Sequence, residues 1–91
     1  MNLGSTDFLQ RLAKESGYIV MDADGKCWLK DAGGNAMQFV DGFGHHYSPE
    51  LPRSIFDDFR KASLIRQDRD APGELGLVFR LTADGIQRGT S

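Results

Sequence analysis

The sequence predicts a single α+β domain, in which an N-terminal helix and a small antiparallel β-meander are followed by a second helix and a β-hairpin. Three patterns predict this class: apolar residues at helical spacing near the N-terminus, short branched and aromatic runs between glycine-containing turns over residues 18–40, and a helix-then-hairpin pattern from Ser48 onward. Because 91 residues are too few for two independent cores, we expect one domain spanning residues 1–91.

The first predicted helix begins near Ser5 or Thr6, either of which can accept a hydrogen bond from a backbone N–H of the first turn. Gly17 is placed to end it in a left-handed conformation. The residues that share one face at helical spacing are Phe8, Leu9, Leu12 and Ala13. A helix this short is marginal alone, so we expect it to dock on the sheet.

Three short strands are predicted next. Residues 18–21 and 26–30 flank the turn Asp22-Ala23-Asp24-Gly25 and predict a hairpin. A second turn over residues 31–35 leads to a third strand over residues 36–40, which would complete the meander. We find no internal repeat in the chain.

Residues 41–47 are rich in glycine and aromatic residues and are predicted to form a loop. Phe43, His45, His46 and Tyr47 place two aromatic rings and two imidazoles in five positions. Two interpretations remain open: the rings fill the core from a covering loop, or they form a patch that binds a partner.

A second helix is predicted from the run Ser48-Pro49-Glu50, which supplies a cap, a proline at the first helical position and an acid in the first turn. A restart after Pro52 with Ser54 as the cap is the alternative. The helix should end near Ala62 or Ser63. Its predicted buried stripe consists of Leu51, Ile55, Phe56 and Phe59.

A two-stranded ribbon follows. Residues 64–67 predict one strand, residues 68–74 a polar turn, and residues 75–81 a second strand with Leu77, Phe79 and Leu81 on one face. Thr82 can cap a final turn, after which we expect the chain end to fray.

This second half resembles the helix-plus-wing part of a winged-helix domain, over residues 48–89. The motifs that carry the resemblance are Ser63-Leu64-Ile65, Phe79-Arg80-Leu81-Thr82 and the following Gly85. The resemblance implies that residues 50–62 correspond to the recognition helix and residues 68–75 to the wing tip.

The charge balance bears on the class of partner. Eleven basic and thirteen acidic residues give a formal net charge of −2, which argues against a protein that coats nucleic acid. The pair Asp57-Asp58 within the second helix disfavours insertion into the major groove. We therefore predict a non-enzymatic module that binds a protein partner. As a short, compact, acidic chain, it resembles the small accessory or inhibitor proteins of bacteria and their phages.

Two sets of binding residues follow from these interpretations. The predicted protein-binding surface consists of the second helix, the wing and the 43–47 loop. The residues predicted to contact the partner are Phe43, His45, His46, Tyr47, Arg53, Asp57, Arg60 and Lys61. The alternative is a winged-helix-like transcription regulator that contacts DNA, as a dimer, through Arg53, Arg60, Lys61, Arg66 and Arg69. A homodimer is also considered for the protein-binding module.

The sequence predicts no catalytic residue, cofactor or metal. Adjacent His45 and His46 lack a second ligand pair, and Cys27 is the only thiol. No phosphate-binding loop or nucleophile–base spacing is present. Since Cys27 cannot form an internal disulfide and no apolar run reaches the length of a signal peptide or a membrane span, we expect a cytoplasmic protein without a membrane partner.

Overall fold

Residues 4–70 and 76–91 are described by the structure, a computed structural model, and they confirm the α+β class. The elements in chain order are α1 (Ser5–Lys14), β1 (Tyr18–Met21), β2 (Cys27–Lys30), β3 (Phe39–Val40), β4 (His46–Tyr47), β5 (Glu50–Leu51), α2 (Arg53–Lys61), β6 (Ile65–Asp68), β7 (Leu77–Leu81) and α3 (Ala83–Gly89).

Five strands form one antiparallel sheet in the order β5-β2-β1-β7-β6, and β3 pairs with β4 in a separate two-stranded sheet. The predicted meander and the predicted ribbon therefore belong to the same sheet, because β7 pairs with β1. The core lies between one face of this sheet and helices α1 and α2. Its most buried side chains are Phe8, Leu12, Ile19, Cys27, Leu51, Phe56 and Phe79.

The opposite face of the sheet carries two rows of side chains that cross the strands. The strand register places Glu50, Trp28, Val20, Val78 and Asp68 in one row, and Lys30, Tyr18, Arg80 and Arg66 in the other. Tyr18, Val20 and Val78 are buried among these longer neighbours as a second apolar cluster. The guanidinium of Arg80 lies 4.9 Å from the centre of the Tyr18 ring.

The prediction that residues 36–40 form a third strand of the meander is wrong after Met37. Ala36 forms a single bridge with Lys30, and Met37 donates to the carbonyl of Leu29, but the chain then leaves β2. Phe39 explains the departure, because its ring packs against Phe8 of α1 with the centroids 5.7 Å apart. The remaining edge of β2 pairs with β5.

The predicted start of the second helix is also wrong. Glu50 and Leu51 form strand β5 beside β2, and α2 begins at Arg53 with Pro52 as its cap, so neither Ser48 nor Ser54 caps it. Burial of Leu51 opposite Cys27 outweighs the local helix signal. The end near Ala62 is confirmed, and Ser63 takes a left-handed conformation with a φ of 57°.

Both ends of α1 differ in detail from the prediction. The cap is Gly4, whose N–H donates to the carboxylate of Asp7 at 2.8 Å. Ser16, with a φ of 50°, takes the left-handed position predicted for Gly17. Gly17 serves a different purpose, since a Cβ there would lie 2.5 Å from the carbonyl oxygen of Lys30.

The C-terminal segment is helical rather than frayed. Thr82 is the predicted cap, and its hydroxyl accepts a hydrogen bond from the N–H of Gly85. The helix then continues to Gly89, which packs against α1 so closely that a Cβ would lie 2.6 Å from the Cβ of Ala13. In the ribbon, β6 and β7 confirm the paired strands, while residues 71–75 of the predicted wing tip lie outside the described residues.

Candidate functional site

The segment that protrudes from this fold is the 39–47 hairpin, which consists of β3, β4 and the turn between them. Its exposed apolar side chains are Val40, Phe43 and Tyr47, with exposed fractions of 57%, 87% and 38%. Within the described part of the chain, the other large apolar side chains that are exposed, Leu77 and Ile86, lie elsewhere. The hairpin therefore carries three of the five large apolar side chains that are exposed among the described residues.

The turn of this hairpin is held by Asp41. The Asp41 carboxylate accepts from the N–H groups of Phe43 at 2.8 Å and His45 at 3.0 Å. The backbone N–H of Asp41 donates to the carbonyl of His45, and that of Gly44 donates to the carbonyl of Asp41. Gly44 has a φ of 82°, which favours glycine. Phe43 therefore sits at the tip of a turn with a defined backbone.

The same turn occurs three times among residues 4–70 and 76–91. Each copy is an Asp-x-x-Gly-x segment, in which the carboxylate accepts from the second and fourth residues after it and the glycine is left-handed. The three copies begin at Asp22, Asp31 and Asp41. The first two have small or polar residues at the third position, and only the third copy places a phenylalanine there.

The hairpin is fixed to α1 through Phe39. The Phe39 ring is buried between Phe8 and Tyr47, with centroid distances of 5.7 Å and 6.4 Å. Arg11 of α1 lies 4.4 Å above the same ring and donates to the carbonyl of Gln38 at 2.7 Å. The exposed tip thus projects from a support that is continuous with the core.

These observations correct the loop predicted for residues 41–47 and bear on the core-filling interpretation of its rings. His46 and Tyr47 are a strand, and the exposure of Phe43 contradicts a role in filling the core. The Tyr47 ring packs against Phe39 and is itself partly exposed. His45 is beside Phe43 and lies 3.6 Å from the Asp41 carboxylate, while His46 is exposed opposite Val40.

The predicted binding residues of α2 lie apart from the hairpin. Arg53 pairs with Asp57 at 3.4 Å and also reaches the carbonyl of Gly25. Arg60 lies 5.3 Å from the centre of the Phe79 ring, and Lys61 is exposed at the end of the helix. Within the described ranges, no hydrogen bond, ion pair or ring contact joins these side chains to the hairpin tip.

The cations of the DNA-binding alternative do not share one surface. Arg53, Arg60 and Lys61 belong to α2, which covers the core face of the sheet. Arg66 projects from the opposite face, in the row with Arg80, and Arg69 follows in the turn after β6. The five side chains are therefore spread over more than one face of the sheet.

Cys27 is buried in the core opposite Leu51. Its burial raises the pKa of the thiol, and the positive charge of Arg53 opposes this only in part. Residues 4–70 and 76–91 contain no group of three or more His, Cys, Asp or Glu side chains arranged to hold a metal ion. None of the helices in those ranges has the length and apolar character needed to cross a membrane.

Two carboxylates predict how stability depends on pH. A hydrogen bond from the Trp28 indole and backbone N–H groups lower the pKa of Asp22, and Arg80 lowers the pKa of Asp68. A carboxylate whose pKa is lower in the folded state than in the unfolded state stabilises the fold at pH values above its unfolded pKa. For Asp this unfolded pKa is about 4. We therefore expect the urea midpoint to fall as the pH drops below about 4.

The control for this pH dependence is the Asp22→Asn/Asp68→Asn double variant. It lacks both depressed carboxylates, so its urea midpoint should change less between neutral and acidic pH than that of the parent chain. Parallel pH profiles for the two proteins would contradict the assignment.

Comparison of the chain with known protein families, with characterised proteins and with solved structures finds no match to any of them.

Proposed function

We propose that this protein is a non-enzymatic binding module that inserts the tip of its 39–47 hairpin into an apolar pocket of a protein partner. The observation that carries the proposal is the 87% exposure of Phe43 on a turn whose backbone is fixed by Asp41. Val40 and Tyr47 are also exposed, on opposite faces of the hairpin, because Val40 pairs with His46 and Tyr47 with Phe39.

The hairpin is already ordered before it meets a partner, which favours binding. A partner that buries an aromatic ring gains the hydrophobic free energy of that ring, about 2–3 kcal/mol for complete burial. Ordering a flexible loop would consume much of this gain. The hydrogen bonds of the Asp41 turn and the packing of Phe39 against α1 already order the hairpin before binding. A rigid aromatic tip of this kind is typical of an interface hot spot.

The charge of the hairpin favours a protein over a nucleic acid. Residues 39–47 contain no lysine or arginine, whereas binding to phosphate depends on cations. On α2, Arg53 is paired with Asp57 and Arg60 lies over a core ring, so these cations already have partners within the chain. The helix-then-hairpin order of α2, β6 and β7 is compatible with the winged-helix resemblance, but the proposed interaction does not depend on it.

The test replaces Phe43 by the photo-reactive residue p-benzoyl-phenylalanine and identifies the cross-linked protein in the organism of origin. Position 86 provides the matched control, because Ile86 is also exposed, at 49%, but belongs to α3. We expect a discrete adduct from position 43 and none from position 86.

Binding of the cross-linked protein is then titrated with Phe43→Ser and with Ile86→Ser. Loss of a hot-spot residue weakens binding by at least about 2 kcal/mol, so Phe43→Ser should raise the Kd by roughly 30-fold. Ile86→Ser should leave the Kd unchanged, and neither variant should shift the melting temperature measurably. Equal losses for both variants would contradict the proposal, as would salt-sensitive duplex binding that Phe43→Ser leaves intact.

A further inference from the structure

We infer that two copies of this chain pair through β6, forming an antiparallel contact about a two-fold axis at Gln67. The main sheet would then run continuously through both copies. This inference concerns a surface other than the hairpin and does not rest on the proposed function.

The two edges of the sheet are protected to different extents. Strand β5 has two residues and is flanked by Pro49 and Pro52, which lack N–H donors. Short edge strands and prolines are devices that prevent pairing with another chain. Strand β6 has four residues and contains no proline, so it lacks both devices.

Within residues 4–70 and 76–91, the outer edge of β6 has backbone groups that bond to no other strand. The N–H of Thr82 donates to the carbonyl of Leu64, so these residues form a hydrogen-bonded pair. Because such pairs alternate along an antiparallel ladder, Arg66 and Asp68 bond to β7. Ile65 and Gln67 therefore point their N–H and C=O groups away from β7, toward the position of an added strand.

The side-chain charges of β6 favour a second copy of the chain as the partner, and they favour one register of pairing. Within one chain, Arg66 lies directly opposite Arg80, and like charges in this position repel each other. Asp68 reduces this repulsion by accepting a hydrogen bond from Arg80 at 2.7 Å. A two-fold axis at Gln67 places Arg66 of each copy opposite Asp68 of the other. An axis at Arg66 would instead oppose two arginines. The sequence of β6 is therefore complementary to itself in one register.

This pairing leaves the hairpins free. The 39–47 hairpin follows the bridge between Ala36 and Lys30, at the end of β2. Strand β6 is separated from β2 in the sheet by β1 and β7. A pair joined at β6 would carry two hairpin tips, and a partner with two binding pockets would bind it more tightly than it binds one copy.

Sedimentation equilibrium over a concentration series tests the inference. The unmodified chain should show a monomer–dimer equilibrium. Arg66→Glu should raise the dimer dissociation constant by roughly tenfold or more, since the introduced carboxylate would face Asp68 of the second copy. In the single chain, the same carboxylate would lie opposite Arg80, so the variant should fold at least as stably as the parent. Arg88→Glu on α3 is the control for the same charge change away from β6.

Two further measurements complete the test. The Arg66→Glu/Asp68→Lys double variant exchanges the charges and should restore dimerisation. In the parent chain, the amide protons of Ile65 and Gln67 should exchange more slowly as concentration rises. A chain that remains monomeric up to about 1 mM would overturn the inference, as would an Arg66→Glu variant that dimerises like the parent. Phe43→Ser should leave dimerisation intact, which separates failure of this inference from failure of the proposed function.

Discussion

Replacement of Phe56 by alanine is expected to lower the free energy of unfolding by about 3–5 kcal/mol. The Phe56 side chain is only 1% exposed, and its ring meets Phe79 of β7 at 4.9 Å in an edge-to-face arrangement of 84°. Alanine would remove this contact and leave a cavity between α2 and the sheet. Since small domains have total stabilities of roughly 5–10 kcal/mol, much of the population should unfold at moderate temperature.

Ile55→Ala is the control for this prediction. Ile55 belongs to the same helix but is only partly buried against the core. Its truncation should cost less than half as much, because fewer packed atoms are lost. Urea unfolding followed by the fluorescence of the single tryptophan, Trp28, measures both variants. Equal losses would contradict the deeper burial of Phe56 on which the prediction depends.

The elements that depend on local pattern are predicted well from the sequence. The apolar face of α1, the hairpin of β1 and β2 around Gly25, and the buried Phe56 and Phe59 of α2 all follow from periodicity and turn chemistry. These signals are contained within a few neighbouring residues, so they survive in the folded chain.

The pairing of distant strands is not predictable in the same way. A run of apolar residues indicates a strand but does not name its neighbour, so the contact between β1 and β7 is visible only in the structure. Strand β5 shows a direct conflict between local and distant effects. The run from Ser48 to Glu50 has the composition of a helix start, yet burial of Leu51 against β2 determines the outcome.

The candidate site is predicted in part. The aromatic content of residues 43–47 identifies the segment, but whether Phe43 is buried depends on the position of the turn in space. The exposure of Val40 is absent from the sequence predictions, although alternation along a strand offers a signal once Phe39 is known to be buried. The Asp-x-x-Gly turns at Asp22, Asp31 and Asp41 could also have been found by comparison of the three segments.

Phe39→Ala is expected to separate the hairpin from the core, lowering the free energy of unfolding by about 3–5 kcal/mol. The Phe39 ring joins Phe8 of α1 to Tyr47 of the hairpin and lies under the Arg11 guanidinium. Without it, β3 and β4 are a two-residue pair with no apolar support, and such a small sheet is not stable alone.

This variant distinguishes a rigid binding tip from a loop that merely carries a phenylalanine. Phe39→Ala retains Phe43, so loss of binding to the cross-linked partner would show that the fixed geometry of the hairpin matters. Hydrogen exchange at the Asp41 and His45 amides should accelerate, since their bonds close the turn. Phe39→Leu, which keeps much of the apolar volume, should preserve most of both properties. If Phe39→Ala left both the binding and the exchange of these amides unchanged, the tip would be ordered by its own turn, and Asp41 alone would account for its preorganisation.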